Sequence, residues 1–160
     1  MTADELKQHL DAAEKDPKKI AAAVSGLSDS VLRYKPAPDK WCILEILAHL
    51  ADAEIINAYR IRQIIADEKP TIAPINQDAW ARNLGYMDEP VAELVAQFGL
   101  TRHHNLKLLR RIGPRGLEKS AYHPELKRQI TLAEMVERVA GHGPNHLQQI
   151  EALKKQAGSR

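Results

Sequence analysis

His142 and His146 stand four residues apart near the C-terminus, within ValAlaGlyHisGlyProAsnHisLeuGlnGlnIle (139–150). Residues at i and i+4 share one helix face, so both imidazoles can aim at one point. A third histidine, His49, lies far upstream in LeuAlaHisLeuAlaAspAlaGlu (47–54). A pair plus a distant single is a common route to a three-histidine metal site with one coordination position left open. Such a site would use Lewis acidity to make a nucleophile near neutral pH.

The helix faces carry this reading further. With His142 as the origin, Met135, His146, Gln149 and Leu153 fall within about 40° of it, and Glu137, Glu151 and Lys155 lie opposite. The pair therefore sits inside a core stripe, where two adjacent imidazoles need two separate sets of partners unless a metal satisfies both. Around His49, the residues Cys42, Glu45, Asp52, Ala53, Ile56 and Arg60 form one narrow stripe flanked by Ile, Leu and Ala. Glu45 and Asp52 are the candidate catalytic residues, as proton-handling groups. Asp52 could instead be a fourth ligand or fix an imidazole, and Glu45 could close a capping box on Cys42, with Trp41 packed on Ile46. Cys42 stands where a serine or threonine cap is usual. Thr101, Arg102 and Asn105 interrupt the core stripe of another helix and could line a cavity facing the metal, unless Arg102 snorkels to solvent. His103, His104 and His9 read as surface residues. His123, in TyrHisProGlu, could approach the mouth of the site.

The elements that must position these residues are helical, with no sustained period-2 alternation. Thr2 and Glu5 predict a capping box opening a helix to about Lys15, and Asp16-Pro17 predicts a restart to about Val24. LeuSerAspSerValLeuArgTyr reads as a short turn or helix, and LysProAlaProAspLys (35–40) marks a boundary. A long helix is expected from about Cys42 to Asp67. Residues 68–89 form a long connection with Trp80 in a short helix, of the length that often carries function. A helix from about Val91 to Ile112 stops at GlyProArgGly (113–116). After a loop containing Pro124, a fourth helix runs from Leu132 to Gln156 behind Thr131 and Glu134. Pro144 should bend this last helix or split it at residues 141–144. Because it falls on the outer face, the histidines are expected to converge regardless. The expected fold is all-α: a four-helix bundle in a single domain, 1–160, with a long connection between its second and third helices.

Composition narrows the function classes. Of 160 residues, 44% are hydrophobic and 28% charged, and the formal net charge is +2. Basic residues are interspersed with acidic ones and form no stripe, so no nucleic-acid partner is expected. One cysteine excludes an internal disulfide framework. Charge begins at Asp4 and breaks every apolar run well short of a membrane span, which predicts a cytoplasmic protein without a membrane partner.

TrpCysIleLeuGluIleLeuAlaHisLeuAlaAspAlaGlu (41–54) and GlyHisGlyProAsnHisLeuGlnGlnIle (141–150), with GlyTyrMetAspGlu (85–89) and TyrHisPro (122–124) in order between them, resemble the DinB-like family of four-helix metalloproteins. The resemblance covers nearly the whole chain. It implies a bundle binding a divalent metal through His49, His142 and His146, and a homodimer. It also implies an activity among those of the family, which include thiol S-transferases and isomerases using bacillithiol, mycothiol or glutathione, and hydrolases. The chain departs from the family pattern at Gly143, where an acidic residue is frequent, at Pro144 and at Cys42.

The expected function is that of a metal-dependent enzyme of the thiol transferase or hydrolase type, acting on a small-molecule substrate such as a low-molecular-weight thiol. Zn, Ni and Fe all suit imidazole ligands. The rival is a non-catalytic bundle that keeps a structural or sensing metal. Ligation by Asp52 would favour the rival, and a pocket lined by the 68–89 connection would favour the enzyme.

Overall fold

The computed structural model of the protein describes residues 1–158. Four bundle members account for most of it. The first is made of two consecutive helices, α1 (Ala3–Ala13) and α2 (Asp16–Val24); the others are α4 (Ile43–Ala66), α6 (Val91–Ile112) and α7 (Leu132–Gly158). Short helices α3 (Asp29–Leu32) and α5 (Gln77–Asn83) lie in the two connections that flank α4. Starts follow the sequence signals: Thr2 and Glu5 cap each other reciprocally on α1, and Thr131 and Glu134 do the same at α7. The restart at Asp16-Pro17 forms without Asp16 as its cap. Asp16 is the first residue of α2 rather than its cap, and its carboxylate turns inward.

Segment 120–131, read from sequence as a loop, contains a small hairpin. Strands β1 (Ser120–His123) and β2 (Arg128–Thr131) pair antiparallel, Ser120 opposite Thr131 and His123 opposite Arg128. Four residues per strand are too few to show a convincing alternation. The 68–89 connection adds to the hairpin: Ile72 N–H donates to Tyr122 O and Tyr122 N–H donates to Pro70 O, both at 2.9 Å.

α4 and α6 pack side by side, α4 also packs on α7, and α1 and α2 pack on α7, with α2 reaching α6. The first member and α4 are therefore diagonal to each other, as are α6 and α7. The core explains the directions of the chain. One apolar cluster gathers Ile20, Leu47, Leu50, Leu94, Phe98 and Ile150. A second gathers Leu6, Leu10, Ile61, Leu106, Leu109, Met135 and Val139. The N-terminal halves of α4 and α6 both contribute to the first cluster, so these neighbours run parallel. α1–α2 and α7 run the other way. A parallel pair requires a crossover along the bundle, and 24 helical residues span about 36 Å. The length of residues 67–90 follows from that geometry.

Between the two clusters lies a polar layer to which every bundle member contributes: Asp16, then Glu54, Asn57 and Arg60, then Arg102 and Asn105, then His142 and His146. Arg102, 1% exposed, donates to Glu54 Oε1 at 2.8 Å and to Asp16 Oδ2 at 3.3 Å, and Asn105 Nδ2 donates to Glu54 Oε2 at 3.1 Å. A charge this deep persists only when paired and hydrogen-bonded. α7 passes this layer without a break. Pro144 is exposed, as its angular position predicted, while the neighbouring Gly143 is buried against Asp16.

Candidate metal centre

His49 approaches from α4, and His142 and His146 approach from α7 within the polar layer. His142 Nε2 lies 3.1 Å from His49 Nε2 and 3.1 Å from His146 Nε2. One nitrogen from each ring falls within 4.8 Å of the other two. The outer nitrogens explain how two of the rings are held or left. Gln149 Oε1 faces His146 Nδ1 at 2.9 Å, which puts the proton on Nδ1 and leaves the Nε2 lone pair towards the cluster. His142 Nδ1 is buried with no partner. Trp41 packs its ring 4.9 Å from that of His49.

These contacts cannot all be hydrogen bonds. If His142 carries its proton on Nε2, it can serve one neighbour only; if on Nδ1, its lone pair and that of His146 face each other whatever His49 does. A cation at their meeting point satisfies them together. The spacing suits it, since tetrahedral ligands at 2.0–2.1 Å from zinc lie about 3.3 Å apart. Burial keeps the rings neutral, which is the ligating form. It pushes His49 down to about 4 and His142 down to about 2, with neighbouring imidazoles adding to the effect. His146 is also lowered by burial, against the hydrogen bond it donates to Gln149 Oε1. The residues therefore fit a divalent metal, which His49, His142 and His146 would hold.

A cavity of about 250 Å³ opens beside His49 and His142. α4 supplies Asp52, Asn57 and Arg60 to its wall, the 68–89 connection supplies Ile75, Gln77, Trp80 and Tyr86, the hairpin supplies His123, Glu125 and Leu126, and α7 supplies Arg138. Tyr86 Oη donates to Asp52 Oδ2 at 2.6 Å. Burial, reinforced by that carboxylate, holds the Tyr86 hydroxyl well above the ordinary phenol range, so it acts as a neutral donor. A second, more apolar cavity of about 620 Å³ reaches His146 from the other side, between Trp41, Ile46, Gln149 and Leu153, and Gln77 belongs to both walls.

The sequence-derived candidates are distributed as follows. His49, His142 and His146 come together. Asp52 lines the cavity one turn from His49 but is not among the convergent nitrogens and carboxylates. Glu45 lines neither cavity: it accepts from Cys42 N–H at 2.8 Å and from Lys35 Nζ at 2.7 Å. Burial raises the Cys42 thiol. Arg102 and Asn105 do not line the cavity, because Glu54 and Asp16 hold them in the core. Nor does Arg102 snorkel to solvent. Trp41 joins the apolar cluster that includes Ile46 and also covers His49. His103 and His104 are exposed, whereas His123 is 5% exposed and reaches the cavity. Sequence reasoning passed over Tyr86, Gln77 and Arg138 as site residues. Tyr86 was visible within GlyTyrMetAspGlu, and Arg138 stands four residues before His142, on the same helical face.

A family model described as the DinB superfamily matches residues 12–150. The chain belongs to the DinB superfamily. Among its relatives, the Bacillus subtilis protein named "Putative metal-dependent hydrolase YfiT" is 26% identical over 148 residues, covering 91% of this chain and 82% of the relative. A Geobacillus thermodenitrificans protein of the same description is 24% identical over 156 residues, covering 98% and 88%. The solved structure of YfiT superposes on this DinB-superfamily chain with a TM-score of 0.92 at 23% identity, covering 99% of this chain and 90% of that one. YfiT is described there as "a probable metal-dependent hydrolase with an unusual four-helix bundle topology". The fold of this chain is the same four-helix bundle. No helix among the described residues is long and apolar enough to cross a membrane.

Proposed function

We propose that this DinB-superfamily chain is a metal-dependent enzyme that activates a nucleophile for attack on a small electrophilic substrate. Hydrolysis is the first reading. The observation that carries it is the convergence of three neutral imidazoles, two of which, His49 and His142, line a cavity built partly from the 68–89 connection. A structural metal would normally close its shell with a fourth protein ligand, and Asp52 instead accepts a hydrogen bond from Tyr86. When bound, a divalent metal supplies Lewis acidity, which lowers the pKa of water or of a thiol towards neutrality.

The chain's own residues supply the rest. Asp52 is the group placed to take the proton of the nucleophile, and Tyr86 fixes the orientation of its carboxylate. Gln149 orients His146 through Nδ1. Trp80 and Leu126 give the cavity apolar walls that limit bulk water. Glu45 is better suited to hold the start of α4 than to move protons.

Thiol transfer is the second reading, favoured by the cavity at His146. A hydrolase needs only water as its second reactant, and about 620 Å³ is space for a whole co-substrate. The metal content of purified protein tests both readings, with His49→Ala and His142→Ala as controls. About one divalent metal per chain, lost in both variants, is the expected result. Assays of the loaded protein on activated esters, and on alkyl halides with and without added thiol, then separate hydrolysis from transfer. Protein that stays empty after incubation with zinc, nickel and iron would overturn the metal-dependent reading.

A further inference from the structure

Two arginines in the wall of the 250 Å³ cavity have no counter-ion. Arg60 is 7% exposed, and its hydrogen bond is to a neutral group, Ala73 O, at 2.8 Å. Arg138 projects from α7 one turn before His142 into the same cavity. Among the described residues neither guanidinium closes an ion pair; Arg138 is exposed, but Arg60 is deeply buried, and the other deeply buried charges are paired, Arg102 with Glu54 and Asp16, and Glu45 with Lys35. Two carboxylates share the cavity wall. Asp52 is engaged by Tyr86, and Glu125 is exposed at the rim, outside ion-pair distance of both arginines.

Burial and the like charge of Arg138 both act against the charged form of Arg60, and Glu125 only partly offsets them. An unpaired buried cation facing a second one is costly for a fold, and the cost persists only where something else neutralises it. A guanidinium presents a planar fork that matches the two oxygens of a carboxylate or phosphate. Beside the fork lie Ile56, Ile75, Trp80 and Leu126, which suit an apolar body.

We propose that this cavity selects substrates carrying an oxyanion, a carboxylate or a phosphate, held between Arg60 and Arg138 while the reactive group faces His49 and His142. The proposal rests on the metal-dependent reading for what happens at the histidines, but the anion subsite is formed by residues that ligate nothing.

The test is calorimetric titration of zinc-loaded and zinc-free protein at neutral pH with benzoate, phenylphosphonate and, as the uncharged control, benzamide. Zinc content is measured on each sample. Benzoate or phenylphosphonate binds and benzamide does not; the tighter of the two anions names the class. Arg138→Gln, an exposed and therefore foldable change, weakens anion binding by about tenfold or more, as for the loss of one charge-assisted bond. Arg60→Gln does the same, with zinc content unchanged in both. Equal binding of benzamide, no binding of either anion, or affinities indifferent to Arg138→Gln in zinc-loaded protein overturns the inference and leaves the metal-dependent reading standing. Arginine-dependent anion binding by a protein that takes up no zinc supports the inference while removing that reading.

Discussion

At the residue scale, the cluster is defined by which nitrogen of each ring is free. Gln149 fixes that for His146, whereas His142 Nδ1 is buried without a partner. Burial lowers all three imidazoles below the ordinary value of 6.5. The sign of the consequence follows from linkage. Above 6.5 both folded and unfolded chains carry neutral rings, and the histidines add no pH dependence. As pH falls below 6.5 the unfolded chain takes up protons that the native His49 refuses until about 4. The metal-free protein is therefore expected to lose stability progressively over that window. Urea midpoints of metal-free protein between pH 7.5 and pH 4 measure it, with His49→Gln flattening the lower part of the curve. A flat profile in the parent protein would show that the rings titrate freely and that the cluster is open to water.

At the element scale, Gly143 lets α7 approach α2. A Cβ placed there would come within 2.5 Å of Asp16 Oδ2, and that carboxylate cannot swing away while it is bonded to Arg102. Alanine would otherwise favour the helix by about 1 kcal/mol. Gly143→Ala is instead expected to destabilise the protein by about 1–3 kcal/mol, as overpacking does. The same change made in an Asp16→Gly background, which also removes the Asp16 Cβ that would lie 2.8 Å away, should cost clearly less. A double-mutant cycle in urea reads the coupling, and additive effects would mean that the two elements do not meet as described. Pro144 beside it faces solvent on a continuous helix, so the missing amide bond is lost on the outer side and the histidine face stays intact.

At the scale of the whole molecule, two apolar clusters stabilise the ends of the bundle and leave its middle polar. Leu50 and Leu106 are both fully buried, one in each cluster. Leu50→Ala and Leu106→Ala should each cost about 2–5 kcal/mol, and the double variant should cost their sum. Urea denaturation checks this, and marked non-additivity would show the core to be continuous across the polar layer. The architecture also assigns the 68–89 connection its place. Because α4 and α6 run parallel, the chain must return along the bundle, and in returning it lays Ile75, Gln77, Trp80 and Tyr86 along the cavity beside the histidine cluster.

The sequence by itself determined the helices and the three histidines. Apolar spacing, the capping boxes and the Pro and Gly boundaries are local signals, and local hydrogen bonding enforces them. The i, i+4 pair and the exposed side of Pro144 follow from helical period alone. Tertiary structure decided what each polar core residue meets. Glu45, Asp52 and Arg102 look alike on a helical wheel, yet Glu45 caps its own helix, Asp52 faces a cavity, and Arg102 joins Glu54 and Asp16 in the core. The cavity wall and the approach of Arg60 to Arg138 join residues far apart in the chain. No short-range pattern encodes such meetings, because their energies arise from packing and burial only once the bundle has closed.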